Sequence, residues 1–363
     1  MKILLIGEYS SVHSTLKEGL TELGHEVVVA SAGDGYRNIA RDIDFAPKLK
    51  GKFGAIESSF RILEALPKFK GFDIVQLMNP FFFPARLNKL NKYFITFLKK
   101  HNQTLFLLGA GSIDQDSYIA DYYKKKYPYP EYYINLLNAN KKNGWSLSYD
   151  GIKYNSFLHE KIDGYIPLMY EYAQGYRDIS YKKLCPTIPI PINTNKIEYN
   201  DNIINSRIII FHGFSRPIEK GTFIIKEAME NIKKKYPNDV EIIIDGHMPL
   251  QEYQKTINKA NVIIDQTYSL SYGVNAVISM AMGKVVLGGG YPECLREFDV
   301  DYCPIIPIQP NVKDIENKLS YIIENRNIIP ELGKRSRTYV ENVHDYHKIA
   351  KKFINAWTQK KFK

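Results

Sequence analysis

Arg207–Gly221 reads RIIIFHGFSRPIEKG, and the order of its residue types decides the fold. Ile208 to Phe211 make a short strand of the fully buried kind. Gly213 to Ser215 form a loop, and Arg216 and Lys220 place two cations close together before a helix opens near Thr222. A strand that ends in a glycine loop and runs into a helix is half of a βαβ unit. The arrangement also suits a diphosphate: the loop lets backbone approach, two side chains supply charge, and the helix start supplies N–H donors. The segment alone fits a solvated surface turn equally well.

Outward from this stretch the alternation continues in both directions. Before it, strand patterns stand at Ile3–Ile6, Val27–Ala30, Asp73–Met78 and Leu105–Leu108, with helix patterns at Val12–Leu23, Ile56–Leu66 and Leu87–Lys100. After it come strands at Ile242–Ile244, Val262–Ile264 and Val285–Leu287, and helices that begin near Thr222, Leu250 and Gly273. Such alternation predicts an α/β protein with parallel sheets covered by helices on both sides. The segment Cys185–Asn195, CPTIPIPINTN, has three prolines that fix φ and remove donors, so it is neither helix nor central strand. It divides the chain into domains 1–185 and 186–343. Two Rossmann-like, doubly wound domains joined this way are expected to face each other across a cleft, with ligands at the carboxyl ends of the strands. The loops there are Gly7–His13, Gly109–Asp114, Gly213–Lys220, Asp245–Pro249, Asp265–Tyr272 and Gly288–Glu293.

Composition narrows the partners. At 363 residues the chain suits about two domains, and 24% charged residues exclude a disordered polyelectrolyte. The net charge of +10 is spread out: 25 Lys+Arg against 19 Asp+Glu lie in residues 1–185, and 24 against 20 in 186–363. An even spread argues against dedicated nucleic-acid binding, which concentrates charge on one face or tail. It suits an anionic small ligand or anionic lipid. Three cysteines without CxxC spacing indicate neither a disulfide framework nor a zinc site, and point to a reducing compartment. MKILLIGEYSS is too short for a signal-peptide core and no stretch is long enough to span a bilayer. A cytoplasmic protein is expected, with peripheral contact as the one form of membrane association left open.

Three segments in order, HGFSRPIEKG, VEIIIDGHMP and ANVIIDQTYSLSYGVNAVISMAMGKVVLGGGYPE, resemble the donor-binding domain of the retaining family 4 glycosyltransferases, which have the two-Rossmann-domain GT-B architecture. The resemblance covers about 200–360 well, 1–110 less well, and 115–180 poorly. It implies transfer of a sugar from a nucleotide-diphosphate donor to a hydroxyl of a saccharide or lipid-linked acceptor, with retention, in bacterial surface polysaccharide or glycolipid assembly. It further implies that the helix 344–363 crosses back to the first domain, and that no cofactor beyond the nucleotide sugar is needed. Arg216 and Lys220 would clamp the diphosphate and neutralise the leaving nucleotide, and Lys220→Ala is expected to cost turnover at nearly unchanged melting temperature. Gly213 would open the loop and Gly273 would place helix N–H groups on the same phosphates. Gly246 and His247 would lie near the base. On the acceptor side stand Gly7, Tyr9 and His13, with Gly111 in the glycine loop 109–112. No metal is expected, because two cations already occupy the phosphate region.

The chain departs from the family at one point. Two glutamates of the signature, with seven residues between them, fall here on Leu270 and Ile278. Neither side chain accepts a hydrogen bond from a sugar hydroxyl, a loss of about 1–3 kcal/mol unless replaced. Asp265, Gln266, Tyr268 and Asn275 are candidates to replace them, Asn and Asp near a helix start being also common caps, and Tyr272 is a further donor-binding candidate. A non-catalytic binding or scaffolding protein and a nucleotide-sugar epimerase are therefore the rival readings on the same fold. Residues 118–181 hold 14 of the 27 tyrosines; they read as a half-buried helical insert, or, with Lys124–Lys126, as an acceptor surface.

Overall fold

The computed structural model of the chain describes residues 1–34, 38–84, 87–110, 113–139, 144–246, 248 and 250–359. In chain order the elements are β1 (Lys2–Ile6), α1 (Val12–Glu22), β2 (Glu26–Ser31), β3 (Ile43–Asp44), α2 (Gly51–Ala65), β4 (Ile74–Leu77), α3 (Asn88–His101) and β5 (Thr104–Gly109). Next come α4 (Ser117–Lys125), α5 (Pro130–Ala139), α6 (Tyr149–Lys161), β6 (Gly164–Pro167) and α7 (Tyr170–Asp178). The second half continues with β7 (Ile208–Gly213), α8 (Pro217–Lys220), α9 (Thr222–Lys235), β8 (Val240–Asp245), α10 (Leu250–Lys259) and β9 (Val262–Ile264). It closes with α11 (Val274–Ala281), β10 (Val285–Gly288), α12 (Pro292–Phe298), β11 (Ile306–Pro307), α13 (Val312–Glu324), α14 (Ile329–Val343) and α15 (Tyr346–Gln359).

Two compact units result. The first comprises Met1–Tyr127, Lys142–Pro191 and Tyr346–Lys363; the second comprises Pro128–Lys141 and Ile192–Asp345. The chain passes between them four times, at 127/128, 141/142, 191/192 and 345/346, and Ile192 and Asp345 form an isolated parallel bridge.

The first unit is built on a parallel sheet of order β3-β2-β1-β4-β5-β6. Its strands are apolar runs because helices cover both faces, and Ile3–Ile6, Ile74, Val75 and Leu105–Leu108 are all buried. Helix α15 packs on α1, where Gly19 gives the clearance: a Cβ there would lie 2.6 Å from the Tyr346 carbonyl oxygen. Trp357 at its far end is fully buried and donates its indole N–H to Gln76 Oε1 at 3.1 Å.

The second unit carries a parallel sheet of order β11-β10-β9-β7-β8. Its core joins Ile208, Ile210, Val262, Ile264, Val285 and Leu287 of the strands to Ile225, Met229, Leu319 and Ile322 of the helices. After β7 the chain builds β8 on one side and then returns to build β9 on the other. The order reverses between β7 and β9, and the carboxyl end of that gap is where open α/β sheets bind ligands.

Candidate functional site

The gap between β7 and β9 is occupied by an ion pair. Strand β7 ends at Gly213, the turn passes Arg216, and the single helical turn α8 delivers Lys220, whose side chain is only 10% exposed. Asp265, the first residue after β9, is 3% exposed and accepts from Lys220 Nζ at 2.5 Å. The Asp265 carbonyl takes a second N–H at 3.1 Å. An ammonium has three donors, so one is left for another partner. Gly221 follows at φ 71°, and a Cβ there would sit 2.2 Å from Thr267 Cγ2, so glycine is needed both for the conformation and for the close approach of the β9 loop. Beside this contact Thr267 Oγ1 is buried without a hydrogen-bond partner among the described residues.

His212 fixes the strand below. It is fully buried, donates from Nδ1 to the Ile264 carbonyl at 2.8 Å, and accepts at Nε2 from the Thr222 hydroxyl at 2.9 Å. Burial, the largest cause, holds its pKa down at about 4, so the ring is neutral and ties β7, β9 and the start of α9 together. In RIIIFHGFSRPIEKG the signal for this role is a histidine at the end of an otherwise apolar strand.

Arg216 differs from Lys220. It is exposed, its carbonyl accepts the Lys220 N–H at 3.1 Å, and its guanidinium has no ion-pair partner among the described residues. Since Asp265 already neutralises Lys220, Arg216 is the cation of this turn without an ion-pair partner among the described residues, with the Glu219 carboxylate between the two in α8.

The loop 265–273 leads to α11. Gly273 precedes its first residue, makes no side-chain cap, and has open space where a Cβ would be. The side chain of Asn275, half-exposed in the first turn, has no partner among the described residues. Ile278 is half-exposed one turn on, whereas Leu270 is buried at 5% exposure. The β10 loop closes on the same segment: Gly290 and Tyr291 donate backbone N–H groups to the Leu270 carbonyl at 3.0 and 3.2 Å. A Cβ on Gly289 would collide with the Ser271 carbonyl oxygen at 1.9 Å.

Other sequence candidates fall differently. Gly246 follows β8, whose last residue Asp245 pairs with Gly213 of β7, and a Cβ on it would meet the Phe214 ring at 2.4 Å. Tyr272 is an interior anchor: 2% exposed, it shares hydrogen bonds with the Tyr339 hydroxyl at 2.8 Å and His344 Nε2 at 2.9 Å. His247 and Gly111 lie outside the described residues.

The tyrosine-rich segment divides between the units. Helix α5 belongs to the second and packs on α8. There Tyr132 stacks on Tyr268 with centroids 5.3 Å apart, and Tyr129 meets Tyr268 edge-on at 6.2 Å. Tyr268 in turn borders Gly221, 3.2 Å from the position of its absent Cβ. Tyr268 is one of the sequence candidates, and Tyr129 and Tyr132 belong to the tyrosine-rich segment, but nothing in the spacing ties residues 129–132 to a loop over a hundred residues on.

In the first unit the equivalent gap lies between β1 and β4. Gly7 has φ 88°, and a Cβ would touch Met78 Cβ at 2.8 Å. Ser10 and Ser11 also adopt positive φ, 51° and 66°, and Tyr9 is half-buried. His13 is fully buried and spent: Nδ1 donates to the Gly7 carbonyl at 2.8 Å and Nε2 accepts from Gln76 at 3.1 Å, with burial lowering its pKa to about 4. The overlooked neighbour is Glu8. Its carboxylate accepts the His13 and Ser14 backbone N–H groups at 3.2 and 2.9 Å, and burial raises its pKa to about 7. Among the described residues no group of His, Cys, Asp or Glu is placed to hold a metal, and no helix is long and apolar enough to cross a membrane.

Comparison with solved structures identifies the architecture. The Anabaena protein HepE, determined in complex with UDP and glucose, superposes at TM-score 0.63 and 10% identity, covering 99% of this chain and 100% of that one. Sucrose-phosphate synthase from Thermosynechococcus elongatus gives 0.64 at 13% identity, with 99% of both chains covered. The fold is GT-B. UDP-GlcNAc 2-epimerase from Neisseria meningitidis, bound to UDP-GlcNAc, also matches, at 0.54 and 12% identity over 99% of this chain and 100% of that one. No family model matches the sequence, and no curated protein matches it.

Proposed function

We propose that the chain is a glycosyltransferase that moves a sugar from a UDP-linked donor to a hydroxyl of a saccharide or lipid-linked acceptor. Retention, a place among the family 4 enzymes, and a role in bacterial surface polysaccharide or glycolipid assembly complete the proposal and rest on the sequence resemblance alone. The observation that carries it is the turn at the β7–β9 gap. A guanidinium without an ion-pair partner among the described residues lies one helical turn before an ammonium that Asp265 clamps in place. A diphosphate set there would gain Arg216's full charge, the third N–H of Lys220, and the uncapped N–H groups opening α11. Solved GT-B structures with UDP bound support the choice of nucleotide. The proposal includes no metal, because the two side chains meet the charge that develops on the departing nucleotide.

Two observations favour other readings. The side chains of Leu270 and Ile278 supply no hydrogen-bond acceptor, which suits a binding or scaffolding protein. The epimerase match suits isomerisation of the nucleotide sugar. One experiment separates the three: incubation with a panel of UDP-sugars, with and without saccharide acceptors, while UDP release is followed. Acceptor-dependent release supports transfer. Release or sugar isomerisation without acceptor points to the epimerase, and no turnover together with no thermal shift by any nucleotide points to the scaffold.

A further inference from the structure

Helix α2 inverts the usual placement of side chains. Its inward positions are Gly54, Ser59, Ile62 and Ala65, three of them small, and a Cβ on Gly54 would lie 2.3 Å from the Leu49 carbonyl oxygen. Its large apolar residues face solvent: Phe53 is 72% exposed, Phe60 63%, Ile56 46%, and Leu49, just before the helix, 57%. Positions 53, 56 and 60 follow the three- and four-residue spacing of one helical face. A surface helix of a globular protein normally turns such a face inward, and a contiguous exposed apolar patch marks a docking surface.

Charge says what docks. In PKLKGKF, residues 47–53, Lys48, Lys50 and Lys52 alternate with Leu49 and Phe53; all seven residues are exposed, and the three lysines have no ion-pair partner among the described residues. The nearby carboxylates are mostly committed. Glu57 pairs with Arg61 at 2.8 Å and accepts the Lys48 and Leu49 N–H groups, and Asp44 pairs with Arg41 at 2.7 Å. Glu64, one turn past Phe60, is exposed. Protein interfaces deplete lysine from their cores. Interfacial helices combine lysine with Phe and Leu, the ammonium groups reaching phosphate while the rings enter the acyl boundary.

We propose that residues 47–60 dock the first unit on an anionic membrane surface, with Leu49, Phe53, Ile56 and Phe60 inserted and the three lysines at the headgroup phosphates. The proposal does not depend on the transfer reading, since it concerns a surface away from the β7–β9 gap in sequence and in unit. The test is flotation of the full chain with vesicles of phosphatidylcholine alone, or of equal parts phosphatidylcholine and phosphatidylglycerol, at low and high salt. Binding is expected on the anionic vesicles only, weakening with salt. Each lysine near an anionic surface is worth about fivefold, so K48Q/K50Q/K52Q should lose on the order of a hundredfold. F53S/F60S should lose at least about tenfold at low salt, with the melting temperature unchanged because both rings are already exposed. A Phe53→Trp variant should show a blue-shifted emission on anionic vesicles. Failure of the parent to float, equal flotation of parent and F53S/F60S, or a self-associated species that F53S/F60S abolishes without any vesicle binding would each overturn it.

Discussion

Lys220→Ala is the substitution whose consequences the ion pair makes calculable. Lys220 and Asp265 are 10% and 3% exposed, with nitrogen and oxygen 2.5 Å apart. Removing one partner leaves the other charge buried and alone, at a cost of about 3–5 kcal/mol. For a domain of about 150–250 residues each kcal/mol moves the melting point by about 2–4 °C, so the second unit should melt about 6–20 °C lower. This corrects the expectation from sequence of a nearly unchanged melting temperature, which took Lys220 as an open cation. Lys220→Ala/Asp265→Ala should recover part of the loss, with a coupling of at least about 1.5 kcal/mol, because it leaves no orphaned charge. Thermal scans by circular dichroism on the parent, both single variants and the double variant complete the cycle. A Lys220→Ala melting point within about 2 °C of the parent would refute the buried pair and the reasoning built on it.

Other outcomes follow from the same geometry. Tyr272→Phe removes a hydroxyl bonded to Tyr339 and His344, so stability should fall by about 1–3 kcal/mol while UDP affinity, read by calorimetry, stays within twofold. Gly273→Ala meets nothing within 4 Å and its φ is −97°; the melting point should hold, and weaker UDP binding would show ligand approaching the backbone there. His212 has a folded pKa near 4 against the usual 6.5. Its folded value is the lower one, so its contribution is fully present above about pH 6.5 and is lost as pH falls toward 4, up to about 3 kcal/mol. In the first unit His13 behaves the same way. Glu8, raised to about 7, contributes below about 4.5 and loses that stability as pH rises through 7, so the two trends offset between about pH 4.5 and 6.5. The second unit should therefore be the more acid-labile, and His212→Gln should flatten its dependence; urea midpoints at neutral and acid pH decide, and an unchanged slope would count against the assignment.

Much of the architecture was legible because parallel strands buried on both faces leave unmistakable apolar runs. Ile3–Ile6, Leu105–Leu108 and Ile208–Phe211 all became strands, and the cations at 216 and 220 fell on the β7–β9 gap. β6 escaped notice because GYIP begins with glycine, ends with proline and has no room for alternation. What the cations do to each other was also hidden. Asp265 looked like a ligand-facing acid, and only the register of β7 with β9 brings it to Lys220. Tyr272 and His13 read as site residues from their loops; their orientation into the interior depends on α14 and on Gln76, partners far away in sequence. Helix α2 was expected from its pattern, yet which face it buries follows from the close approach at Gly54 and not from hydrophobicity.

Calorimetric titration of UDP and of UMP into the parent and into Arg216→Ala tests the phosphate site most directly. On the proposed site the second phosphate would reach the Arg216–Lys220 turn, so UDP should bind at least tenfold tighter than UMP. A charge-assisted contact of about 1.5–3 kcal/mol makes UDP about 10- to 150-fold weaker in Arg216→Ala, close to UMP, with the melting point within about 1 °C of the parent. Equal affinity for UDP and UMP, or an Arg216→Ala variant that binds UDP like the parent, would contradict it.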